Sequence, residues 1–444
     1  MKWIISLFQA NVFLQNSALL FAGTMTANIL NYVFHFAMGR MVSPQVYGEV
    51  EAIVSLLAII TIPSSAIVIV ATRYAARFKA RNDVRKSERL FFLFHKKVFL
   101  FIFPLLFIGF FATPWVQSFL KIEDSFAIYF LWGLAFLSFF NAIAKGTMSG
   151  WQRFLGLGIV NASVSFVKLV FSVFFVWLGF SVGGVVGALL LSSVSGYILF
   201  LFILGRFRKK EYNKGKEKPT LEGNQPKNSV YTYAIPVLFS TFAFMMLGNV
   251  DMVLAKHHLS PEGAGLYGAL FIVSKTIFFF SSILAGVMFS MSAEEHEKSI
   301  LEKTKNTSKI FRNAVLFTGF ICVASITFFF LFPTFVLSIF FGEKYLAGSH
   351  LLGWFAVASS LYTLIYLFLQ YFLSIHKTII VWWVVSGVVA EAFAIYIWGY
   401  SIESIISLIV LFHAIILSIL VVYKLIERSH FPIKCAIFQQ NPIK

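Results

Sequence analysis

Apolar stretches long enough to cross a bilayer recur along the whole of this 444-residue chain, and they restrict its fold more than any other feature. A transmembrane helix needs about 20 predominantly apolar residues. Hydropathy and the polar breaks predict about twelve such spans. Their approximate limits are 17–39, 49–72, 91–112, 125–145, 154–178, 183–205, 229–255, 264–290, 310–333, 350–373, 378–399 and 403–424. Charged residues make up only 12% of the chain, where soluble domains have about 25%. The pattern predicts an all-α polytopic membrane protein.

The lysines and arginines fall mainly on one side of this predicted topology. One alternating set of connections holds the basic residues of 73–89, 145–153, 206–227 and 298–312, together with Lys377 and the C-terminal tail. The opposite set holds only four basic residues, which are Arg40, Lys121, Lys256 and Lys344. By the positive-inside rule, both termini and the central linker are cytoplasmic. Much of the formal net charge of +17 is therefore a topology signal, and we expect no nucleic-acid partner.

The basic segment RFRKKEYNKGKEKPTLEGNQPKNS divides the chain near its middle. The predicted organisation is an N-terminal interfacial helix (1–16), a first lobe with spans one to six (17–205), a cytoplasmic basic linker (206–228), a second lobe with spans seven to twelve (229–427) and a cytoplasmic tail (428–444). Cys322 and Cys435 offer neither a disulfide framework nor a metal-binding spacing, so we expect no metal site and no cofactor.

A repeat relates the two predicted lobes. The connection AMGRMVSPQVYGEVEAIVSL follows span one, and LAKHHLSPEGAGLYGALFIVSK follows span seven. Each turns at Ser-Pro and re-enters the membrane at Tyr-Gly, where proline fixes the turn and glycine permits close helix approach. The interval of six spans predicts two lobes of the same orientation, a plan typical of transporters whose substrate site lies between the lobes. The predicted gate turns consist of Pro44, Tyr47, Gly48, Pro261, Tyr267 and Gly268.

These same segments resemble a known family. The stretch NILNYVFHFAMGRMVSPQVYGEVEAIVSLLAII, with Arg40, Tyr47 and Gly48, resembles the opening of the polysaccharide-biosynthesis family of lipid-linked oligosaccharide flippases, in the multidrug/oligosaccharidyl-lipid/polysaccharide exporter superfamily. GNVDMVLAKHHLSPEGAGLYGALFIVSK, with Asp251 and Tyr267, is similar to the family's second-half pattern. The resemblance implies a V-shaped, MATE-like pair of six-helix lobes, alternating access and outward movement of an undecaprenyl-diphosphate-linked glycan.

Four ionisable residues lie clearly inside the predicted spans, where a charge costs about 2.5–3.5 kcal/mol: Lys168, Asp251, Lys275 and Glu391. His35 and His413 are further candidates in the neutral form. Lys168, within VSFVKLVFSVFF, is about 15 Å from the nearer surface, too deep for its stem to reach the headgroups. We expect Lys168 and Lys275, with Arg40, to line a lumen that binds an anionic substrate. The alternative is a structural ion pair, for which Glu391 is the candidate partner of Lys168. We expect Asp251 to be structural, whereas Glu391 fits an ion pair and a coupling group equally well.

The predicted function is therefore a flippase in a bacterial or archaeal cytoplasmic membrane, with no enzymatic activity. Its expected partners are a lipid-linked glycan such as an O-antigen or exopolysaccharide unit, membrane lipids, and a polysaccharide polymerase or glycosyltransferases. The sequence contains no GxxxxGK[ST] motif, so we do not expect this chain to hydrolyse ATP. One alternative is an ion-coupled multidrug and toxin extrusion antiporter, which needs carboxylates in the first lobe, where Glu51 lies only at a helix start. A second is a glycan polymerase or ligase, which needs a larger outer loop.

Overall fold

The computed structural model describes the backbone of residues 12–81, 83–212, 228–302 and 307–434, and within these ranges the regular structure is helical. The first half contains α1 (Val12–Met41), α2 (Pro44–Ile60), α3 (Ile62–Ala80), α4 (Val84–Phe111), α5 (Thr113–Leu120), α6 (Ser125–Gly150), α7 (Phe154–Trp177) and α8 (Val182–Tyr212). The second half contains α9 (Asn228–Leu247), α10 (Val250–His258), α11 (Pro261–Glu302), α12 (Thr307–Leu331), α13 (Pro333–Phe340), a 3-10 helix (Glu343–Leu351), α14 (Leu352–Ser374), α15 (Ile380–Trp398) and α16 (Ile402–Lys434).

The helices confirm the all-α polytopic fold. Within the described residues, ten helices are long and apolar enough to cross a membrane, or eleven if α2 and α3 form one bent span. Each of the twelve predicted spans coincides with a helix or with two helices in succession. Helix α1 is not among the eleven, because Asn28, Asn31 and His35 interrupt its apolar sequence. Their spacing of three and four residues places them on one face of α1.

Two of the predicted spans are broken helices. The span predicted over 49–72 bends by 46° between α2 and α3. Pro63 explains the bend, since proline has no N–H for the carbonyl four residues earlier, and its ring clashes with that carbonyl. The chain caps the end of α2 at Thr61, whose N–H and hydroxyl donate to the carbonyl of Leu57 at 3.0 and 2.8 Å. The span predicted over 229–255 breaks at Gly248 and Asn249, between α9 and α10.

Helix packing follows the needs of a protein in lipid. Helix α4 exposes a band of large apolar side chains, with Phe101 at 72% and Ile108 at 66%. Between helices, small residues permit close approach: a Cβ on Gly23 of α1 would lie 2.3 Å from the Cα of Gly158 in α7. Lipid tails are as apolar as leucine, so close packing of this kind, rather than apolar burial, associates helices in a membrane.

The two halves meet mainly through α2, which packs against α10 and α11, and through α3, which contacts α9. Three predicted segments lie largely or partly outside the described residues. These segments are the interfacial helix at 1–16, the linker at 206–228 and the tail at 428–444.

Candidate functional site

The two Ser-Pro turns lie together, and we call this region the Ser-Pro end. Ser43 caps α2 through its side-chain oxygen, which accepts from the N–H of Val46 at 3.3 Å. Helices α2 and α11 then touch backbone to backbone, because a Cβ on Gly265 would lie 1.9 Å from the carbonyl oxygen of Pro44. A Cβ on Gly48 would lie 2.6 Å from the amide nitrogen of Gly265. The structure therefore brings the predicted gate turns into direct contact.

Each half also caps a helix of the other half at the Ser-Pro end. The guanidinium of Arg40 donates to the carbonyls of Ser338 and Ile339, at the C-terminus of α13. The ammonium of Lys344 donates to the carbonyls of Arg40 and Val42 at 3.3 and 3.4 Å, where α1 ends. Cations are favourable at helix C-termini, where unsatisfied carbonyls concentrate negative charge. Arg40, predicted to bind substrate, therefore joins the two halves in this conformation.

A buried ion pair adds to the seam between the halves. The Nζ of Lys256 in α10 lies 3.5 Å from Oε1 of Glu49 in α2, and both side chains are buried. Lys256 therefore connects α10 of the second half to α2 of the first. Removing one member of such a pair leaves an uncompensated buried charge, which costs about 3–5 kcal/mol.

The tyrosines of the two Tyr-Gly motifs make corresponding contacts. In the second half, the hydroxyl of Tyr267 donates to Oδ2 of Asp251 at 2.7 Å. In the first half, the hydroxyl of Tyr47 lies 3.4 Å from Nδ1 of His35, and this nitrogen lies 2.5 Å from Oε1 of Glu51. His35 precedes Arg40 by five residues, as Asp251 precedes Lys256. The repeat therefore extends to buried polar contacts.

A cavity of about 660 Å³ lies within the first half. Most of its lining residues are polar, two are basic, and no carboxylate is among them. Lys145 and Lys168 supply the two cations. The polar lining comes from α1, α3, α6, α7 and α8, and consists of Thr24, Asn28, Asn31, Ser64, Ser65, Ser138, Asn141, Asn161, Ser165 and Ser193. Such a wall suits a ligand that is anionic and rich in hydroxyl groups.

Lys168 therefore faces a polar cavity rather than lipid. Its ammonium lies 4.0 Å from the ring centroid of Phe34, a cation–π contact that keeps the charge on the inner side of α7. Glu51 is close enough to interact with it electrostatically. Glu391, its alternative ion-pair partner, lies in the second half beside His413.

The second half has a much smaller polar pocket around the break between α9 and α10. Its volume is about 30 Å³, room for about one water molecule. Lys275 donates to the carbonyl of Gly248 at 2.6 Å, and Asp251 begins the following helix. The cation thus lies at the C-terminus of α9 and the anion at the N-terminus of α10, as helix dipoles favour. Lys275 and Asp251 share this pocket, whereas Lys168 lines the other cavity.

Beside this pocket lies a buried acid–base pair. Oε2 of Glu391 in α15 lies 3.5 Å from Nε2 of His413 in α16, and Glu391 is completely buried. Within the described residues, neither oxygen of Glu391 nor Nε2 of His413 makes a hydrogen bond. In the part of the chain that the structure describes, no three His, Cys, Asp or Glu side chains are grouped to hold a metal ion.

Several residues of these sites were not predicted from the sequence. In the sequence, Lys145 serves only as a topology signal and Glu51 lies at a predicted helix start, whereas the structure buries Glu51. The asparagines of the first-half cavity are not among the predicted site residues. The available signal was the recurrence of Asn28 and Asn31 on one face of an otherwise apolar helix.

Comparisons with solved structures identify the fold. An inward-facing multidrug resistance MATE family transporter of the MOP superfamily matches with a TM-score of 0.69 and 15% identity, over 91% of this chain and 94% of the other. The lipid II flippase MurJ, in an inward closed conformation, matches with a TM-score of 0.63 and 15% identity, over 93% and 87%. A MOP superfamily transporter from Pyrococcus furiosus, described as having a binding pocket of reverse polarity that suggests a different function, matches with a TM-score of 0.56 and 16% identity, over 93% and 94%. At these identities the likeness is one of fold.

Sequence comparisons identify the family. An uncharacterized membrane protein of Methanocaldococcus jannaschii is 21% identical over 291 residues. The match covers 61% of this chain and 66% of that protein, which is just under two thirds of its length. The family model described as polysaccharide biosynthesis protein matches residues 13–294. This match includes both Tyr-Gly motifs, the first-half cavity and the helix break beside Lys275. The chain therefore belongs to the polysaccharide biosynthesis protein family and has the fold of the MOP superfamily transporters.

Proposed function

We propose that the protein is a flippase that moves a lipid-linked oligosaccharide outward across a cytoplasmic membrane by alternating access. The single observation that carries the proposal is the first-half cavity, which has two lysines and no carboxylate among its lining residues. A diphosphate group is a doubly charged anion, and a lysine ammonium binds phosphate as a compact point charge. The asparagine and serine side chains supply the donors and acceptors that sugar hydroxyls require. The same cavity is poorly suited to a cationic drug.

The closed Ser-Pro end supplies the alternating-access part of the proposal. Following the Lys/Arg asymmetry of the connections, we assign the Ser-Pro end to the outer side of the membrane. The structure then corresponds to an inward-facing or inward-closed state, in which the outer path is shut by the contacts between α2 and α11. Opening outward requires these contacts to separate, together with the Arg40 and Lys344 caps and the Lys256–Glu49 pair.

The membrane potential favours export of the anion. With the cell interior negative, outward movement of one negative charge gains about 2.3 kcal/mol per 100 mV. A diphosphate therefore gains about 4–5 kcal/mol before the return of the empty carrier is considered. The proposed cycle includes no catalytic step.

An ion-coupled multidrug antiporter is the second candidate, because Glu51 is buried within the first half. A cationic drug needs a free carboxylate, but Oε1 of Glu51 already lies 2.5 Å from Nδ1 of His35. The aliphatic part of Glu51 is also confined, since a Cβ on Gly268 of the other half would lie 3.3 Å from its Cγ. We therefore place the flippase first.

The proposal is tested by replacing the cavity lysines. Lys168→Ala and Lys145→Ala should each weaken binding of undecaprenyl diphosphate to the purified protein, as measured by native mass spectrometry. Loss of one charge-assisted contact, at about 1.5–3 kcal/mol, predicts a weakening of about 10- to 150-fold. Lys168→Arg should retain much of the affinity, and Lys168→Glu should remove it. The same variants should reduce surface glycan in a strain that lacks its own flippase.

Lys97→Ala is the matched control, because Lys97 is exposed on α4, away from the cavity. It should leave both binding and export unchanged. If well-folded Lys168→Ala protein binds and exports normally, the cavity is not the anion site. Binding of a cationic drug that depends on Glu51 would instead support the antiporter.

A further inference from the structure

We propose that Glu391 and His413 form a binding site for one exchangeable proton, and that loss of this proton opens the structure at the Ser-Pro end. The role of this proton as the coupling ion of transport rests on the function proposed above. The existence of the proton site does not rest on that function, because it follows from the geometry of the pair.

The hydrogen bond on the far side of His413 assigns its tautomer. Nδ1 lies 3.2 Å from the carbonyl oxygen of Ala358, which can only accept. Nδ1 therefore carries a hydrogen, and Nε2 of the neutral ring presents a lone pair to Glu391. Oε2 of the carboxyl group lies 3.5 Å from this nitrogen. Without a shared proton, two lone pairs face each other in a buried site.

Burial determines how that proton is held. The side chain of Glu391 is completely buried and that of His413 nearly so, at 0% and 4% exposure. An unpaired carboxylate in such surroundings is strongly disfavoured, whereas a carboxylic acid beside a neutral imidazole has no net charge. A small rotation of the carboxyl group then lets its O–H donate to Nε2. The pair holds one proton, on Glu391, in the closed structure.

The charged groups around Glu391 and His413 balance one another and leave no spare positive charge for the pair. Helix α10 contributes Asp251, α11 contributes Lys275 and Tyr267, and α14 contributes Tyr362, whose ring centroid lies 6.1 Å from that of His413. From α9, the side chains described at 238–247 are all uncharged. Lys275 offsets Asp251 while the pair holds one proton. Glu51 of α2 also interacts with Lys275, and its Oε1 lies 2.5 Å from Nδ1 of His35, so it adds no positive charge to the pocket. Deprotonation leaves one net negative charge with no counter-ion among these groups.

This imbalance links protonation to conformation. The pocket has room for about one water molecule, too little to solvate an additional charge. The deprotonated form is therefore stable only where the helices separate and admit water. Asp251 connects the pocket to the Ser-Pro end, because it accepts from Tyr267, which begins the second half's Tyr-Gly motif. High pH should accordingly disfavour the closed contact between α2 and α11.

The experiment needs no glycan substrate, so its outcome is independent of the flippase assignment. Spin labels on cysteines at Gln45 and Glu262, in a background without Cys322 and Cys435, report the distance across the Ser-Pro end by pulsed electron paramagnetic resonance. In nanodiscs at constant sodium concentration, the ratio of closed to open protein should fall at least about fivefold between acidic and alkaline pH. Glu391→Gln, which is neutral at every pH, should remain closed throughout.

Glu403→Gln is the matched control, because Glu403 forms an exposed pair with His350 at 4.0 Å and should keep the wild-type response. Infrared pH-difference spectra of the wild-type protein provide a readout that does not depend on a folded variant. The band of a buried carboxylic acid should disappear over the pH interval in which the distance changes. The proposal is overturned if Glu391→Gln retains the pH response, if that band is absent, or if sodium at fixed pH, rather than pH, shifts the distance.

Discussion

Replacing Gly265 with alanine should weaken the closed Ser-Pro end without touching either polar cavity. The added Cβ would lie 1.9 Å from the carbonyl oxygen of Pro44, whereas an ordinary contact begins at 3.4 Å. The helices must therefore separate locally by about 1.5 Å, the difference between these two distances. The obstacle is backbone at the start of α2, so a change of side-chain rotamer cannot relieve it.

Overpacking of this kind costs about 1–3 kcal/mol. The strain exists only in the closed state, so it should lower the closed population relative to the open one by about 5- to 150-fold. The distance between spin labels at Gln45 and Glu262 measures that population. We expect Gly265→Ala to shift the distribution from a short distance to a longer one, and Gly48→Ala to act in the same direction.

Gly286→Ala is the control for this experiment. Gly286 lies on the same helix, α11, but a Cβ there meets no atom within 4 Å. This variant should keep the short distance and a wild-type thermal unfolding temperature. The reasoning fails if Gly265→Ala also keeps the short distance while remaining folded, because the close contact would then not hold the two halves together.

Three further predictions concern the seam, the helix break and the orientation. Lys256→Met should lower the free energy of unfolding by about 3–5 kcal/mol, because it leaves Glu49 without its ion-pair partner. Adding Glu49→Gln should restore much of the thermal stability in detergent. An unchanged unfolding temperature in the single variant would contradict this. Lys275→Met should cost about 3–5 kcal/mol, because buried Asp251 loses its compensating charge and the carbonyl of Gly248 loses its donor, and equal unfolding temperatures would exclude that role. Single cysteines at Ser43 and Ser260 should react with a membrane-impermeant thiol reagent in intact cells, and protection of both positions would reverse the assigned orientation.

The order and approximate limits of the apolar spans could be predicted from the sequence, because a bilayer imposes a length and an apolar composition on most spans. The short helices α5 and α13 and the breaks within two spans could not. The correspondence of the two Ser-Pro turns was also predictable. Proline and glycine have specific backbone roles, and both recur after the same number of spans. The sequence therefore predicts two corresponding gate turns, and the structure adds their close contact at Gly48 and Gly265.

The direction in which individual side chains point could not be predicted, because hydropathy does not determine how a helix is rotated about its axis. Lys145 looked like a cytoplasmic anchor at a helix end, yet it lines the same cavity as Lys168. The sequence places Lys275 near mid-membrane, as it does Lys168, yet the ammonium of Lys275 donates to the carbonyl of Gly248 at a break between two helices. The only local sign of that break in the sequence is the pair Gly248 and Asn249.

The two halves share the same contact at the Tyr-Gly motif but differ in the size and charge of their cavities. In both, the tyrosine of the Tyr-Gly motif contacts the residue five positions before a basic residue, His35 in one half and Asp251 in the other. The first half contains a cavity of about 660 Å³ with two lysines in its lining, and the second half contains a pocket of about 30 Å³ around a charge-balanced helix break. In the function that we propose, a bulky anion fits only the first, and a proton needs only the second. Because both tyrosines lie at the Ser-Pro end, occupancy of either half can bias the same closed contact, as coupled transport requires.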